Sequence, residues 1–418
     1  MKRLGKIFGL SILVLAAGCS RGPAGPRLIV AINAGVEGEA LKAATRDYQR
    51  IRGVRMEIVE LPYANLFEKA LLDLVSRTGA YDVIMMDDPW FPRLASEEKL
   101  APLEPLYQQE AVAGPDPDFV PASLAICHEP YPRGRLYALP YVGNSQIFFY
   151  RKDLFDRHGL EAPKTWNEAL EAARRIGQAE KPLYGYVMRA APGNASVADF
   201  MPLLWAFGGD LLGPDGMPQL DSKEAAEALS FMLELGKWTS PGYVSFNADE
   251  VNAHLLQGTA AMSINWPAWI SAMDDPSKSR VVGKISFAPL PGQRAPGRAS
   301  LGNWLLGIPA GSKNIEEAFR FLLWATEASQ MRRAAERGCP PTRRSVFQDA
   351  ELVRRFRAFP AQFQSLETAR PRPRTPAWNE IENVFGVYIS KANAGSITVP
   401  EALARAQAEI ARIVRRSR

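Results

Sequence analysis

The chain has 418 residues, of which 47% are hydrophobic and 23% are charged, and its formal net charge is +5 at pH 7. A globular chain of this length exceeds what one hydrophobic core usually serves, so we predict two domains. The small positive charge, without a basic stripe interleaved with aromatic residues, argues against a nucleic-acid partner.

The start of the chain has the pattern of a secretion signal. Basic residues precede an apolar run over residues 7–17, which is too short for a permanent membrane-spanning helix. Small residues then lead to Cys19. We therefore predict a signal peptide at residues 1–18, which plays no part in the mature fold.

The residues before Cys19 resemble the lipobox of bacterial lipoproteins, in which the cysteine thiol is diacylated and becomes the new N-terminus. The lipobox usually has leucine three places before the cysteine, where this chain has Ala16, and Leu15 lies one place earlier. The resemblance implies a lipid anchor on Cys19 at the cell envelope, followed by a flexible tether over residues 19–27. The alternative is a simple secreted protein in which Cys19 only lies near the cleavage site.

Strands and helices alternate after the tether, which is typical of a mixed α/β fold. Residues 28–32 form a predicted buried strand, residues 39–50 a helix, and the alternating residues 54–58 a second strand. A third apolar strand over residues 82–86 leads into Asp87, where a nearby proline stops the strand. Ligands of open α/β sheets bind at the carboxyl ends of strands, so Asp87 is placed for ligand contact.

Three later helices are predicted from their N-terminal caps, each of which has a glutamate three residues further on. The caps are Thr165, Asp221 and Asn314. Aromatic and aliphatic residues follow each cap at helical spacing, and we assign these stripes to the hydrophobic core.

Catalytic and metal-binding signatures are absent from the sequence. The three histidines lie far apart, and no Cys-x-x-Cys pair, phosphate loop or Gly-x-Ser-x-Gly elbow occurs. Cys127 and Cys339 are the cysteines that remain after Cys19, and a disulfide between them is left open. We therefore predict no metal, no cofactor and no enzymatic activity.

Several tryptophans lie in segments predicted as loops, next to glycine or proline. They are Trp90, Trp266, Trp269, Trp304 and Trp378. Rings on connecting segments belong to the core less often than rings on helix stripes. These tryptophans are therefore candidates for ligand contact.

Five blocks carry a family resemblance. In chain order they are LYALPYVGNSQIFFYRKDLFDRHGLEAPKTWNEALEAARRI at residues 136–176, GTAAMSINWPAWI at 258–270, FAPLPG at 287–292, LGNWLLGIPAGSKNIEEAFRFLLWAT at 301–326 and PPTRRSVFQD at 340–349. The blocks and their order resemble the extracellular solute-binding proteins of bacterial ABC sugar importers, in the maltose/trehalose-type branch. The similarity runs from about the first strand to the C-terminus.

This resemblance implies a two-lobed α/β fold of the periplasmic-binding-protein type, with discontinuous lobes around a central ligand cleft. The first lobe is predicted over residues 28–142 and 300–326, and the second over residues 143–299 and 327–418. By the same resemblance, a monomer holds a sugar, in particular a di- or oligosaccharide, and delivers it to the permease subunits of an ABC transporter. Ligand contacts made only in the closed form bias the hinge towards closure.

The resemblance also implies site residues, beginning with two carboxylates. Glu37 and Asp87 match positions that accept hydrogen bonds from adjacent sugar hydroxyls. The alternative for Glu37 is a residue that complements a helix dipole, and Asp88 is an alternative to Asp87. Asn144 stands where the family often has aspartate, and its amide can donate as well as accept, so the hydroxyl pattern read there differs.

Aromatic residues form the second part of the implied site. Trp266 and Trp304 match positions at which a ring stacks on a pyranose, and both are assigned to the second lobe. Burial in the core is the alternative for both rings. Trp269 and Trp378 are weaker candidates for the same role.

Arg372 matches a family arginine that reaches ligand hydroxyls, with Arg370 and Arg374 as alternatives in register. The same run could also be a solvated basic loop. Two other functions stay open at this stage. One is a binding protein for a non-sugar solute such as a polyamine or glycerol phosphate. The other is a secreted glycosidase that uses Glu37 and Asp87 as its carboxylate pair.

Overall fold

The computed structural model describes residues 26–417. The predicted signal peptide, Cys19 and most of the predicted tether lie outside this range. Arg27, predicted as the end of the tether, is instead the first residue of a strand, because it pairs with Arg55 of the neighbouring strand. No helix among residues 26–417 combines the length and the apolar character that a membrane crossing requires.

The strands of the described residues form a five-stranded, a three-stranded and a two-stranded sheet. In chain order the strands are β1 (Arg27–Asn33), β2 (Arg55–Leu61), β3 (Val83–Asp87), β4 (His128–Glu129), β5 (Arg135–Leu136), β6 (Ala138–Val142), β7 (Ile147–Arg151), β8 (Met262–Asn265), β9 (Ile285–Ala288) and β10 (Trp304–Gly307).

The α-helices pack around these sheets. They are α1 (Val36–Arg52), α2 (Tyr63–Ser76), α3 (Phe91–Ala95), α4 (Glu104–Gln109), α5 (Pro121–Ala125), α6 (Lys152–Arg157), α7 (Trp166–Ala179), α8 (Asn194–Ala206), α9 (Lys223–Gly236), α10 (Ala248–Gln257), α11 (Ile270–Met273), α12 (Ile315–Ala325), α13 (Ala328–Glu336), α14 (Arg344–Phe347), α15 (Ala350–Arg355), α16 (Phe359–Thr368), α17 (Trp378–Asn393) and α18 (Val399–Arg416). Short 3₁₀ helices lie at Asp88–Trp90, Ser96–Glu98, Tyr243–Ser245 and Pro267–Trp269.

The five-stranded sheet has the order β2-β1-β3-β10-β6. β1 is parallel to β2 and to β3, as expected for strands joined through helices, whereas β10 is antiparallel to β3 and to β6. β10 therefore begins at the edge of the sheet where β1, β3 and β6 end. Trp304 at the start of β10 lies opposite Asp87 at the end of β3 and Val142 at the end of β6. This register gathers polar and aromatic residues along one edge.

The three-stranded sheet has the order β8-β7-β9, and its strands are antiparallel. Ile147, the first residue of β7, lies opposite Asn265, the last residue of β8. The chain thus enters this second sheet directly beside the end of β8. Residues that follow β8 therefore lie close to the segment that crosses from β6.

Three backbone segments run side by side between the two halves of the molecule: the β6–β7, β9–β10 and α16–α17 connections. The N–H of Gly302 donates to the carbonyl of Asn144 at 2.9 Å, and the N–H of Leu301 donates to the carbonyl of Arg370 at 2.9 Å. A Cβ atom at Gly302 would lie 2.5 Å from the Trp266 ring, so only glycine allows this approach. The crossing segments and the ring after β8 therefore form one packed unit.

Buried side chains form two main cores and a smaller third cluster. The first core surrounds the five-stranded sheet, and the second contains α7, α8 and α9 together with α17 and α18. Lobe boundaries remain a proposal, and the cores favour one revision. Residues 331–366 contribute buried side chains to the first core, although we had assigned residues 327–418 to the second lobe.

The local predictions for strands and caps can be compared with the structure. The predicted first three strands and the first helix are confirmed as β1, β2, β3 and α1. Thr165 forms the predicted capping box. The cap at Asp221 is wrong by one residue, because the hydroxyl of Ser222 accepts from the helix. Asn314 is an N-cap by position, but its side chain donates to Asp82 at 3.1 Å instead of capping.

Cys127 and Cys339 are both buried, and both are free thiols. The disulfide that the sequence left open is therefore not formed in this structure. Burial raises the pKa of both thiols, so both stay protonated at neutral pH.

Candidate ligand-binding cleft

A cleft of about 390 Å³ lies where the edge of the five-stranded sheet meets the crossing segments and the second lobe. All of the site residues implied by the family resemblance line this cleft: Glu37, Asp87, Asn144, Trp266, Trp304 and Arg372. The structure therefore brings together side chains that lie far apart in the sequence. Their contribution to binding stays a prediction.

Asp87 ends β3 and caps the following 3₁₀ helix, where its Oδ1 accepts from the N–H of Asp88 at 3.0 Å. Its Oδ2 accepts a hydrogen bond from the hydroxyl of Tyr63 at 2.8 Å. Burial raises the pKa of Asp87 to about 7, although the nearby charge of Arg372 opposes the rise. Ionised Asp87 is thus poorly solvated, and donors from a ligand would stabilise it.

Asp88, the alternative to Asp87, is fully buried beneath the cleft. Its Oδ1 accepts from Nη2 of Arg372 at 2.8 Å, and its carbonyl accepts from Nη1 of Arg374 at 2.9 Å. Neighbouring carboxylates thus have different surroundings, because Asp88 is held between arginines whereas Asp87 lines the cleft. The structure therefore favours Asp87 over Asp88 for ligand contact.

Arg372 lies on the third crossing segment and is 2% exposed. Besides binding Asp88, its Nη2 donates to the carbonyl of Leu301 at 3.3 Å, and its Nη1 lies 3.5 Å from Oε1 of Glu382. The register alternatives Arg370 and Arg374 do not line the cleft. Arg372 is therefore the cleft arginine of this run, and it belongs to a buried ion-pair network rather than to a solvated loop.

Glu37 lies in the first turn of α1 and is half-buried. Burial raises the pKa of Glu37, while its own backbone N–H and a hydrogen bond from the Asn144 side chain oppose the rise. Asn144 is 2% exposed, and its Oδ1 has no hydrogen-bond partner. Both interpretations of Glu37 agree with its place, because it lies at a helix N-terminus and also lines the cleft.

Trp304 belongs to the five-stranded sheet, in agreement with the predicted first-lobe range 300–326, so grouping it with Trp266 in the second lobe was wrong. Trp266 follows β8 and is half-buried against Gly302. Trp304 opens β10 in the first sheet, is 4% exposed, and packs edge-on against Tyr63 and Trp90, with ring centroids 6.0 and 5.6 Å away. Trp304 is thus largely a core ring, whereas Trp266 is the more open of the two.

The weaker aromatic candidates differ from one another. Trp269 ends a 3₁₀ helix, is half-buried and lines the cleft. Trp378 begins α17 and is fully buried in the second core, and Trp90 is buried in the first. Proximity to glycine or proline therefore did not separate cleft rings from core rings, because a helix start can be buried as deeply as a helix face.

Polar residues that we did not predict also line the cleft: Asn33, Tyr63, Arg189, Asn194 and Asn247. Asn33 ends β1, so the rule that pointed to Asp87 at the end of β3 also applies to it. Arg189, Asn194 and Asn247, which belong to the second lobe, do not follow the end of a strand, so this rule could not identify them. They lie in a loop and at helix starts, and they reach the cleft through tertiary packing alone.

Arg189 is 3% exposed, and its guanidinium carbon lies 5.5 Å from the centre of the Trp266 ring. Its Nε donates to Oδ1 of Asp199 at 2.7 Å, and its backbone N–H donates to Oδ2 at 2.8 Å. Burial raises the pKa of Asp199, and Arg189 opposes the rise. Arg189 therefore lines the cleft with a polar group whose positive charge is offset by Asp199, which does not line the cleft.

The arrangement suits a small molecule with several hydroxyl groups and an apolar face. The carboxylates accept hydrogen bonds, the amides and arginines donate them, and the half-buried rings can cover C–H surface. Within residues 26–417, no group of three or more His, Cys, Asp or Glu side chains is placed to hold a metal ion.

Comparisons with known proteins agree with this geometry. A sequence model of the bacterial extracellular solute-binding protein family matches residues 34–332. The mannitol-binding protein of Pseudomonas aeruginosa is 30% identical over 312 residues, which cover 68% of this chain and 71% of that protein.

Two solved structures share the fold over nearly the whole chain. One is an ABC transporter solute-binding protein from Agrobacterium radiobacter K84 in complex with ribitol, with a TM-score of 0.85 and 26% identity over 94% of this chain and 100% of that chain. Maltose-bound MalE3 of T. maritima has a TM-score of 0.82 and 28% identity over 92% of this chain and 99% of that chain. The family match covers most of the sequence, and these likenesses extend the two-lobed fold over the rest. The chain therefore belongs to the bacterial extracellular solute-binding proteins, with the two-lobed fold of the binding components of ABC transporters.

Proposed function

We propose that the protein captures a neutral sugar or sugar alcohol between its lobes and delivers it to the permease of an ABC importer. The convergence of Glu37 and Asp87 with Trp266 in one interlobe cleft carries this proposal. Carboxylates accept hydrogen bonds from adjacent hydroxyls, and an aromatic ring covers the C–H face of the same molecule. A volume of about 390 Å³ lies within the usual range for small-molecule sites.

The size of the ligand divides this proposal into two classes. A di- or oligosaccharide is the class that the family resemblance implied, and the maltose-bound relative supports it. The mannitol-binding relative and the ribitol complex support a single acyclic polyol. Both classes present adjacent hydroxyls to the same carboxylates, so the chemistry of capture is shared.

Calorimetry on the protein without residues 1–18 tests the proposal. D-mannitol, ribitol, maltose and maltotriose are titrated, with spermidine and glycerol 3-phosphate as representatives of the non-sugar alternative. We expect at least one neutral ligand to bind in the micromolar range, a free energy of about −8 kcal/mol. Binding of spermidine or glycerol 3-phosphate alone would contradict the proposal.

We further propose that the protein binds its ligand without turnover. The family consists of solute-binding proteins, which supports a receptor over the secreted glycosidase that the Glu37 and Asp87 pair had left open. Prolonged incubation with maltose or maltotriose, followed by chromatography, should return the sugar unchanged. Hydrolysis that disappears in Glu37→Gln or Asp87→Asn would identify an enzyme instead.

The proposed anchor is a lipid on Cys19, which holds a monomeric receptor at the cell envelope. The support is the lipobox resemblance of the residues before it. The Cys19→Ser variant should leave the membrane fraction, whereas the matched Ser20→Ala variant should stay in it. Equal membrane partitioning of both variants, in cells with working lipoprotein processing, would mean that another feature anchors the chain.

A further inference from the structure

Each arginine that lines the cleft is matched by carboxylates from behind. Arg189 and Asp199 are both buried and are joined through Nε and through the backbone N–H, at 2.7 and 2.8 Å. Arg372 donates to Asp88 at 2.8 Å and lies 3.5 Å from Glu382, and both of these carboxylates are also buried. Asp199 and Asp88 thus each engage one guanidinium before any ligand arrives, while Nη2 of Arg189 and Nε of Arg372 make no hydrogen bond.

The charges of this region leave an acidic balance. Arg374 is a third cation, with its Nη1 at 3.5 Å from Oδ2 of Asp88. The three arginines are therefore offset by Asp88, Asp199 and Glu382, none of which lines the cleft. Glu37 and Asp87 are the carboxylates that line the cleft, and Oδ1 of Asp87 lies 3.9 Å from Nη2 of Arg372, whose closer partner is Asp88. Apart from these carboxylates and the two arginines, no charged side chain of the described residues lines the cleft.

We propose that Asp199 and Asp88 determine the charge specificity of the cleft by neutralising Arg189 and Arg372. As a result, the cleft selects uncharged polyhydroxy ligands against the anionic ligands of the same size. This inference rests on the proposed function, because it concerns the same cleft and names the charge class of its ligand. It treats the two aspartates as positioning residues, since neither of them lines the cleft.

The physical reason is that an anion gains little from an arginine whose fork already holds a carboxylate. A carboxylate or phosphate on the ligand would share Arg189 with Asp199 and would also lie beside Glu37 and Asp87. Juxtaposed like charges in a partly desolvated site cost several kcal/mol, so they suppress the wrong ligand. A neutral hydroxyl has no such penalty and can donate to the same carboxylates.

Helix N-termini at the cleft oppose this selection against anionic ligands, because helix dipoles attract anions at the N-terminus. α8 and α10 both begin at the cleft, at Asn194 and Ala248. The first turn of α10 carries Asp249 and Glu250, which offset its dipole, whereas α8 has no acidic residue there. A single helix terminus changes anion affinity by about two- to fivefold, which is smaller than the repulsion expected from two carboxylates.

Matched ligand pairs test the inference at pH 8, where Asp87 is ionised. The pairs are D-mannitol with D-mannonate, ribitol with D-ribonate, and maltose with maltobionate. We expect each anion to bind at least about 100-fold more weakly than its neutral partner, a difference of about 2.8 kcal/mol. Asp199→Asn should reduce the ratio of neutral to anionic affinity at least about tenfold, because it frees the charge of Arg189.

The control is Asp156→Asn, which makes the same change in net charge at an exposed site on α6 that is paired with Lys152. It should leave the ratio unchanged. Should Asp199→Asn fail to fold, Asp88→Asn serves as the second variant, because it frees the charge of Arg372 and should also narrow the ratio of neutral to anionic affinity. Circular dichroism and the unfolding midpoint establish which variants are folded.

The outcomes separate this inference from the function on which it rests. Neutral ligands that bind while their anionic partners bind equally well would overturn the inference and leave the proposed function standing. An unchanged ratio in the folded variants would overturn the role of the charge pairs. Absence of binding by every neutral ligand would overturn the proposed function and this inference with it.

Discussion

The two walls of the cleft use different chemistry. The first-lobe wall consists of Asn33, Glu37, Tyr63, Asp87 and Trp304, and the second-lobe wall of Arg189, Asn194, Asn247, Trp266 and Trp269. The first-lobe wall presents carboxylates whose pKa values are raised by burial, so donors from a ligand would stabilise their ionised forms. The second-lobe wall presents half-buried rings and an arginine already bound to Asp199. We therefore expect the first-lobe wall to accept hydrogen bonds from ligand hydroxyl groups and the second-lobe wall to provide contact area.

Among the substitutions considered, Trp304→Ala should have the largest effect, because Trp304 does not follow the division of roles between the two walls. Trp304 lies on the first-lobe wall, but it is 4% exposed and packs on Tyr63 and Trp90. Trp304→Ala should lower the free energy of unfolding without ligand by about 3–5 kcal/mol, because it empties part of the first core. Chemical denaturation measures this. An unchanged midpoint together with lost affinity would return Trp304 to the role of a ligand ring, which was our expectation from the sequence.

Trp266→Ala sharpens the comparison from the other wall. The ring is half-buried against Gly302, so its loss should cost less than about 1 kcal/mol of stability. Its affinity for the neutral ligand should fall by about 2–3 kcal/mol, because stacking and contact area are both removed. Titration and thermal unfolding of the same sample measure the two effects. Trp269→Ala is the matched variant, because Trp269 is also half-buried and lines the cleft. If Trp266→Ala lost stability rather than affinity, the division of roles between the two walls would be contradicted.

Asp87→Asn tests the acceptor role of the first-lobe wall. The amide keeps one acceptor but loses the charge, so affinity for a neutral ligand should fall by about 2 kcal/mol at pH 8. The free energy of unfolding without ligand should instead rise in Asp87→Asn. The folded pKa of about 7 lies above the value of about 3.9 expected in the unfolded chain.

The pH dependence of stability follows from that difference. Between these two pKa values the folded state binds the proton more tightly, so the destabilising effect of ionised Asp87 grows as pH rises and is complete above pH 7. The stability gained in Asp87→Asn should therefore be larger at pH 8 than at pH 5. Thermal unfolding at both pH values checks this, with Asp156→Asn as the control. A gain that is equal at both pH values would contradict the raised pKa.

Glu37→Gln should give the smallest change in affinity, about 1 kcal/mol for a neutral ligand. Its carboxylate already accepts a hydrogen bond from Asn144, and the amide retains one acceptor for the ligand. Calorimetry at pH 8 measures the loss. A decrease as large as that of Asp87→Asn would show that both carboxylates of the first-lobe wall read the ligand equally.

Local patterns predicted the fold more completely than the cleft. The strand ends are local features, so Asp87 could be placed before the sheet was known, and Asn33 could have been found by the same rule. Glu37, Asn144 and Arg372 came from a family resemblance alone, whereas Trp266 and Trp304 were also candidates because glycine or proline lies beside them. The pairing of Arg189 with Asp199 had no sequence signal, because their contact depends on how the segment before α8 folds back on that helix.

Burial was the property that the sequence represented least well. Trp304 and Trp378 have loop-like neighbours, yet packing encloses both rings, since β10 lies between β3 and β6 and α17 lies in the second core. The caps show the same limit on a smaller scale. Asn314 has the residue type of a cap, but tertiary contact with Asp82 takes its side chain. The type of a residue thus indicates which roles it can have, but its actual role depends on its neighbours in the folded structure.

The interleaved path of the chain has a consequence for how the receptor matures. The sheet of the first lobe is incomplete until β10 is inserted between β3 and β6, and the second core lacks α17 and α18 until the end of the chain is present. Closing such long loops costs entropy before any distant contact offsets it. A polypeptide that emerges from its N-terminus therefore cannot finish either lobe early. Both halves of the cleft become competent only after nearly the whole chain is available to fold.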